Sequence, residues 1–297
     1  METISFLGLS QQSILLVSVP IIFALIAVEA LLGAARNQQY YEKEDTWGTI
    51  GMLVGNVTVQ VLVKSASFVG YTIVYEYRIF NFSETLSPWL LLIVALLCLD
   101  LTFYVWHRAS HRVRALWAIH LSHHSSEEMN YLVSFRQPWL APIFKMPFFA
   151  ILPFVGLDPS VLMIAGLAST FWGVIGHTQI VPRLGVLEWF LNTPSAHRVH
   201  HGTNPEYIDK NYANMFIFYD RIFGTYAKEV EPVNFGLASP IGTNNPLTIT
   251  ISPWKKIWAD IKSARSATEV FGYLFLSPDW KPSDNLKTDA ETQVQQQ

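Results

Sequence analysis

The sequence predicts an all-α integral membrane protein with four to five hydrophobic helical segments and a cytosolic helical cap. Three observations predict it. The 297 residues are 51% apolar and only 14% charged, against about 25% charged in a soluble domain, and mean hydropathy is +0.26. Several apolar runs are long enough to cross a bilayer. Eight of nine histidines fall in three five-residue windows beside those runs. The net charge of −3, with no basic block, argues against a nucleic-acid partner. The single Cys98 excludes an internal disulfide framework and a cysteine metal site.

Residues 14–32 form the first span, with Glu29 as their only charge. Nineteen residues of helix match a hydrocarbon core of about 30 Å. The run has no basic flank or small-residue cleavage site, so it does not read as a signal peptide. Residues 47–75 are a second, weaker span, rich in Gly, Ser and Thr. Residues 89–105 are a third and carry Asp100 near their end. Residues 139–157 and 161–175 are a fourth and fifth, joined by Asp158, Pro159 and Ser160. So tight a connection predicts a helical hairpin that dips in and returns, and the fourth segment holds Lys145, Pro142, Pro147 and Pro153. Arg36 and Lys43 in the first loop, and Arg108, Arg112, Arg114 and Arg136 after the third span, orient the chain. The N-terminus is expected outside, with 106–137 and everything after 180 cytoplasmic. Without a lysine-type retrieval signal at its end, a bacterial inner membrane is expected rather than endoplasmic reticulum. Three regions follow: N-terminal spans (1–85), a catalytic region of spans plus histidine-rich cap (86–245), and a C-terminal cytosolic segment with a polar, disordered tail (246–297).

The histidine windows are His107-Arg-Ala-Ser-His111, His120-Leu-Ser-His123-His124 and His197-Arg-Val-His200-His201. Residues three and four apart share a helix face, so three helices can each present a short imidazole ladder. The windows lie on apolar segments, unlike a contiguous chelating tract. Eight or nine imidazoles exceed one ion's coordination, so a di-metal site is implied, and imidazole suits iron, zinc, copper and nickel. His177 closes the fifth span and reaches the same depth, as a ninth ligand or as support for one. Asp100, Tyr104, His107 and His111 fall on one helical stripe. An acid in a span is expensive and points to function. Asp100 lies about 10 Å along the axis from His107 by helix rise, too far to share its metal. It is expected to accept an imidazole N–H and fix the tautomer. Glu127 and Glu128 could add a carboxylate near the metals, or be solvated helix-end charges. Arg136, Lys210 and Arg221 could meet a lipid phosphate.

Zinc at such a site would give Lewis-acid hydrolysis, and iron would give oxygen activation. Its place at the bilayer surface favours a lipid entering sideways. No G-x-G-x-x-G unit, P-loop or haem-attachment motif is present, so electrons must come from another protein or a small diffusible donor.

The order of H-x-x-x-H, H-x-x-H-H, lone His and H-x-x-H-H resembles the fatty acid hydroxylase/sterol desaturase superfamily, and within it the alkylglycerol monooxygenase-like branch. The carrying stretches are Trp117-Ala-Ile-His-Leu-Ser-His-His-Ser-Ser-Glu-Glu128 with Phe135-Arg-Gln137, and Leu191-Asn-Thr-Pro-Ser-Ala-His-Arg-Val-His-His-Gly202. Ile208-Asp-Lys-Asn-Tyr212 and Asp220-Arg-Ile-Phe-Gly-Thr225 continue the likeness, which runs from about Asp100 to about Asn245. The resemblance implies an O2-dependent di-iron oxidoreductase that hydroxylates a C–H bond of an alkyl ether, fatty acyl or sterol-like lipid. It implies two iron ions held by His107, His111, His120, His123, His124, His197, His200 and His201, with His177 as the isolated member, and an external donor such as tetrahydrobiopterin or a redox protein. A desaturase shares this chemistry. A zinc-dependent lipid hydrolase and a membrane metal-binding protein are the readings from other classes.

Overall fold

The computed structural model describes residues 5, 6 and 8–282. The polar tail from 283 onward lies outside the described residues. The fold is all-α. Among the described residues its only strands are a two-residue pair, Ser5–Phe6 against Leu9–Ser10.

Helix α1 (Gln11–Ala35) starts where Ser10 accepts from the Ser13 amide. Its large side chains, Leu16, Phe23 and Leu31 among them, point outward. Its only buried residues are Glu29 and Gly33. Helix α2 (Lys43–Glu76) is capped by Glu42 and carries Glu44 and Asp45 in its first turn, where the helix dipole favours acids. The short α3 (Phe82–Thr85) leads to α4 (Pro88–Arg112), which opens on proline, a residue suited to the first helical position. At Val113 the backbone is extended for one residue, and α5 (Arg114–His124) leaves in a new direction. Helices α6 (Ala141–Phe149), α7 (Ile151–Val155) and α8 (Pro159–Gly176) follow. The cap then holds α9 (Pro194–His200) and α10 (Phe218–Ile222), with α11 (Pro246–Ser263) and α12 (Ala267–Phe275) after it.

Among the described residues, four helical stretches are long and apolar enough to cross a membrane: Gln11–Ala35, Lys43–Val63, Pro88–Arg112 and Pro159–Gly176. The expected fourth segment is instead divided at Ala150 into α6 and α7, and Ala141–Val155 is shorter than a crossing. Pro147 and Pro153 supply no backbone donor, so neither can sustain a long uninterrupted ladder. Gly156 makes the return possible. Its φ is +126°, and a Cβ there would run into the Phe80 carbonyl. The Leu157 amide reaches back to the Leu152 carbonyl, closing the helix end. Leu91, Ala95 and Leu99 of α4 pack against Leu152, Leu157, Val161 and Ala165. This core holds α4 and α8 side by side with their C-terminal ends level, where the histidines lie.

Polar joints fix the ends of the spans. Glu29 accepts from the Tyr41 hydroxyl (2.6 Å), the Tyr131 amide (2.8 Å) and the Thr178 hydroxyl. It thereby anchors lipid-facing α1 to the residue next to His177. Arg136 is fully buried and donates to Asp45 Oδ1 (2.9 Å), Ser125 Oγ and Asn244 Oδ1. It joins α2, the end of α5 and the approach to α11, so it has no surface to offer a lipid phosphate.

Candidate metal centre

Four chain segments deliver nine imidazoles to one buried volume. His107 and His111 occupy the last turns of α4. His120, His123 and His124 lie on α5. His177 ends α8, and His197 and His200, with the capping His201, belong to α9. All but His111 are at most 6% exposed. They form two sets: His107, His111, His120, His124 and His200; and His123, His177, His197 and His201. Within each set the ring nitrogens lie within 4.8 Å of one another, a spacing that could hold a metal ion. The sets adjoin, with the His124 and His201 rings stacked at 4.4 Å.

This division corrects one expectation. His120, His123 and His124 do not face one way, and neither do His197, His200 and His201. At about 100° per residue, positions i and i+4 differ by about 40° around the helix, whereas i+3 and i+4 differ by about 100°. Accordingly His120 and His124 stay together while His123 turns to the other set. His197 and His201 stay together while His200 crosses over. Each H-x-x-H-H window supplies both sets. His177 stands with the second as a full member.

Hydrogen bonds set the tautomers. The Nδ1 of His107 donates to the Tyr212 carbonyl (2.6 Å), that of His177 to Gly173 (2.7 Å) and that of His200 to Lys210 (2.9 Å). A carbonyl only accepts, so these nitrogens carry the proton and each Nε2 presents a lone pair inward. His111 Nε2, His120 Nδ1, His123 Nδ1, His200 Nε2 and His201 Nε2 are buried with no partner. Nε2 atoms also face each other, at 2.9 Å between His107 and His120 and 3.1 Å between His177 and His197. Burial holds His120, His123, His124, His197 and His201 well below the ordinary imidazole range, and His177 and His200 down to about 4. Neutral imidazoles whose Nε2 atoms are unpartnered (His111, His200, His201) or crowd one another fit a cation that would take up the lone pairs. Neither set contains a carboxylate.

The 209–213 segment holds the first set in place. Asp209 and Asn211 adopt positive φ (60° and 55°), which acidic and amide side chains tolerate better than most. That turn points the Lys210 and Tyr212 carbonyls at His200 and His107. Asn211 ties it down by donating to Ala196 and Ala227 carbonyls. Asp220 accepts from the Tyr212 amide (2.7 Å), the Ala213 amide (2.8 Å) and the Thr225 hydroxyl (2.6 Å). Burial raises its pKa, and these hydrogen bonds oppose the rise. Asn192 donates to the Ala213 carbonyl, and Thr193 caps α9. The motif blocks that flank the histidines thus act mainly by positioning backbone.

Asp100 is buried, but it meets no imidazole. It accepts from the Met215 (2.9 Å) and Phe216 (2.8 Å) amides, because the chain after Tyr212 crosses α4 at its level. Tyr104 is buried outside both sets, bonded to Thr225 Oγ1 (3.0 Å) and Arg108. Glu127 is exposed and belongs to neither set. Glu128 is half-buried, and burial together with Asp45, Glu42 and Glu127 pushes its carboxyl up to about 7. Arg221 lies over the Trp189 and Tyr226 rings. Sequence reasoning missed Asp220 and Glu29 as organisers of the centre. For Glu29 the signal was present, as a lone charge in an apolar run.

Residues 92–225 match the fatty acid hydroxylase family, and the match begins in α4 and ends at Thr225, enclosing all nine histidines. Over this segment the chain is similar to that family. The chain is 33% identical over 264 residues to an alkylglycerol monooxygenase of Xenopus tropicalis, covering 88% of the chain and 58% of the relative. It is 38% identical over 223 residues to the Homo sapiens alkylglycerol monooxygenase, covering 74% and 49%. It is 26% identical over 141 residues to the ornithine lipid hydroxylase OlsE of Rhizobium tropici, covering 47% and 43%. The chain therefore spans about half to three-fifths of the length of the two alkylglycerol monooxygenases. No solved structure matches it.

Proposed function

We propose that this chain is a member of the fatty acid hydroxylase family and a membrane-bound, O2-dependent di-iron monooxygenase. In this reading residues 86–245 are the catalytic region, and the site lies on the cytoplasmic side of a bacterial inner membrane. It would hydroxylate a C–H bond of an alkyl ether, fatty acyl or sterol-like lipid. The observation that carries the reading is the pair of all-imidazole sets, buried and neutral, at the ends of membrane-length helices. His107, His111, His120, His124 and His200 would hold one iron, and His123, His177, His197 and His201 the other. When bound, the irons would supply oxygen activation. The balance is one O2, two electrons and two protons per C–H bond, giving a hydroxyl and one water. An external reduced pterin or redox protein would supply the electrons. The chain's part is to keep the imidazoles deprotonated, aim them through the Tyr212, Lys210 and Gly173 carbonyls, and exclude water. The relatives are an alkylglycerol monooxygenase and an ornithine lipid hydroxylase, which supports this choice over desaturation.

Metal content and turnover test it together. The purified protein should carry two irons per chain and consume oxygen as lipid is oxidised. Two zinc ions with full turnover in the absence of oxygen would overturn the oxygenase reading in favour of a hydrolase.

A further inference from the structure

A second feature adjoins the metal centre and has no part in it. A cavity of about 300 Å³ lies between α1, α8 and the connection from Val181 to Pro194. Leu25, Trp172, Ile175, Leu187 and Leu191 are among its walls. The volume is at the small end of ligand pockets. The surface it presents is carbon. Three of its polar side chains are engaged elsewhere: the Asn192 amide N–H donates to Ala213 O, Thr193 Oγ1 accepts the Ala196 amide, and the Trp172 indole donates to Asn192 O. Gly176 is part of its wall, and an added Cβ there would stand 3.5 Å from the His197 ring. The cavity and the second imidazole set share that wall.

The connection also has an outer face. Val186, Trp189 and Phe190 are 71%, 60% and 63% exposed, with the Arg221 guanidinium 4.5 Å over the Trp189 ring. Such a cluster is unfavourable in water, and an Arg–Trp pair suits a membrane interface. Placed in the bilayer interface beside lipid-facing α1, this segment opens the cavity to the bilayer rather than to the cytosol. A carbon-lined space offers water no partners and would penalise a polar ligand.

We propose that this cavity seats the alkyl chain of a membrane lipid, which enters sideways from the bilayer beneath residues 184–190 and reaches Gly176, beside His177 and His197. That the chain is a substrate rests on the oxygenase reading above, whereas its occupancy does not.

The test uses the full chain in phosphatidylcholine vesicles containing a lipid with a diazirine at the end of one acyl chain. After illumination, labelled residues are mapped by mass spectrometry. Inward-facing Ile175 and Leu191 should be labelled as well as outward Leu16 and Phe23. Leu187→Trp, which fills the cavity, should cut inward labelling about tenfold, equivalent to about 1.4 kcal/mol of binding, and leave outward labelling unchanged. Leu25→Trp fills it from α1 and serves if the first variant fails to fold. Inward residues left unlabelled, or equally labelled in a folded filled variant, would overturn the proposal. With lipids of graded chain length, the filled variants should favour shorter chains in turnover. Lipid oxidation without cavity labelling would contradict the cavity alone. Cavity labelling with no lipid oxidation by the iron-loaded protein would contradict the oxygenase reading alone.

Discussion

Asp220 touches no imidazole, yet it should control how tightly the first set holds metal. Its carboxylate accepts the Tyr212 and Ala213 amides at 2.7 and 2.8 Å, and the Tyr212 carbonyl in turn receives His107 Nδ1–H at 2.6 Å. Asp220→Asn leaves one acceptor oxygen and turns an NH2 group toward the other backbone donor. Losing one hydrogen bond to a charged group costs about 1.5–3 kcal/mol. At about 2–4 °C per kcal/mol in a chain of this size, the unfolding midpoint should fall by roughly 3–12 °C. Asp220→Ala strands both amides, at about 1–3 kcal/mol each, a large share of a total stability of about 5–15 kcal/mol. Partners that orient a ligating histidine are worth about 10–100-fold in metal affinity. Asp220 acts one bond further away, so the Asn variant should lose about tenfold. Detergent-solubilised protein would be titrated with ferrous ion under anaerobic conditions, with thermal unfolding followed in parallel. An Asn variant that melts at the wild-type temperature and binds both irons with unchanged affinity would refute the chain of reasoning from Asp220 through Tyr212 to His107.

Other consequences are equally direct. His200→Ala and His123→Ala strike different sets, so each should reduce bound iron from two to about one per chain by elemental analysis, whereas the double variant should bind none. Glu128 has its carboxyl pushed up to about 7 from an ordinary 4.5. It therefore stays protonated in the fold while the unfolded chain ionises, and stability falls as pH rises from about 4.5 to about 7 and then levels off. Glu128→Gln should raise the melting temperature at pH 8 but not at pH 4.5; an equal change at both would show that no such titration occurs. Gly156→Ala forces a Cβ into the Phe80 carbonyl at positive φ. Strain and overpacking together should cost about 2–5 kcal/mol, read as lowered yield and melting temperature.

Much of this was legible in the sequence, because hydrophobic length and histidine spacing are local properties. Residues 14–32 and 89–105 lie within α1 and α4, and the windows at 107–111, 120–124 and 197–201 mark the helices that carry the ladders. What escaped depends on contacts distant in sequence. Asp100 and the Met215 amide it binds are 115 residues apart, so spacing on its own helix pointed to the wrong acceptor role. Glu29 reaches Tyr131, 102 residues away. The division of each H-x-x-H-H window between two sets follows from helix angle, but which partners wait on each side is set by how α8 and α9 pack. The break within 141–155 shows how Pro147 and Pro153 override a favourable apolar length. Arg136 illustrates the opposite limit: a basic residue near a membrane read as exposed, and the Asp45 carboxylate buried it.

If nine imidazoles hold two irons to hydroxylate a lipid with O2, the inserted oxygen comes from O2. Lipid mass spectrometry of membranes supplied with isotopically labelled O2 addresses it most directly, comparing the wild-type chain with His200→Ala. Wild-type membranes should contain one labelled oxygen atom in an alcohol, or in the aldehyde derived from it, and membranes with the variant none. Oxygen drawn from water instead, or label that persists in the variant, would contradict it.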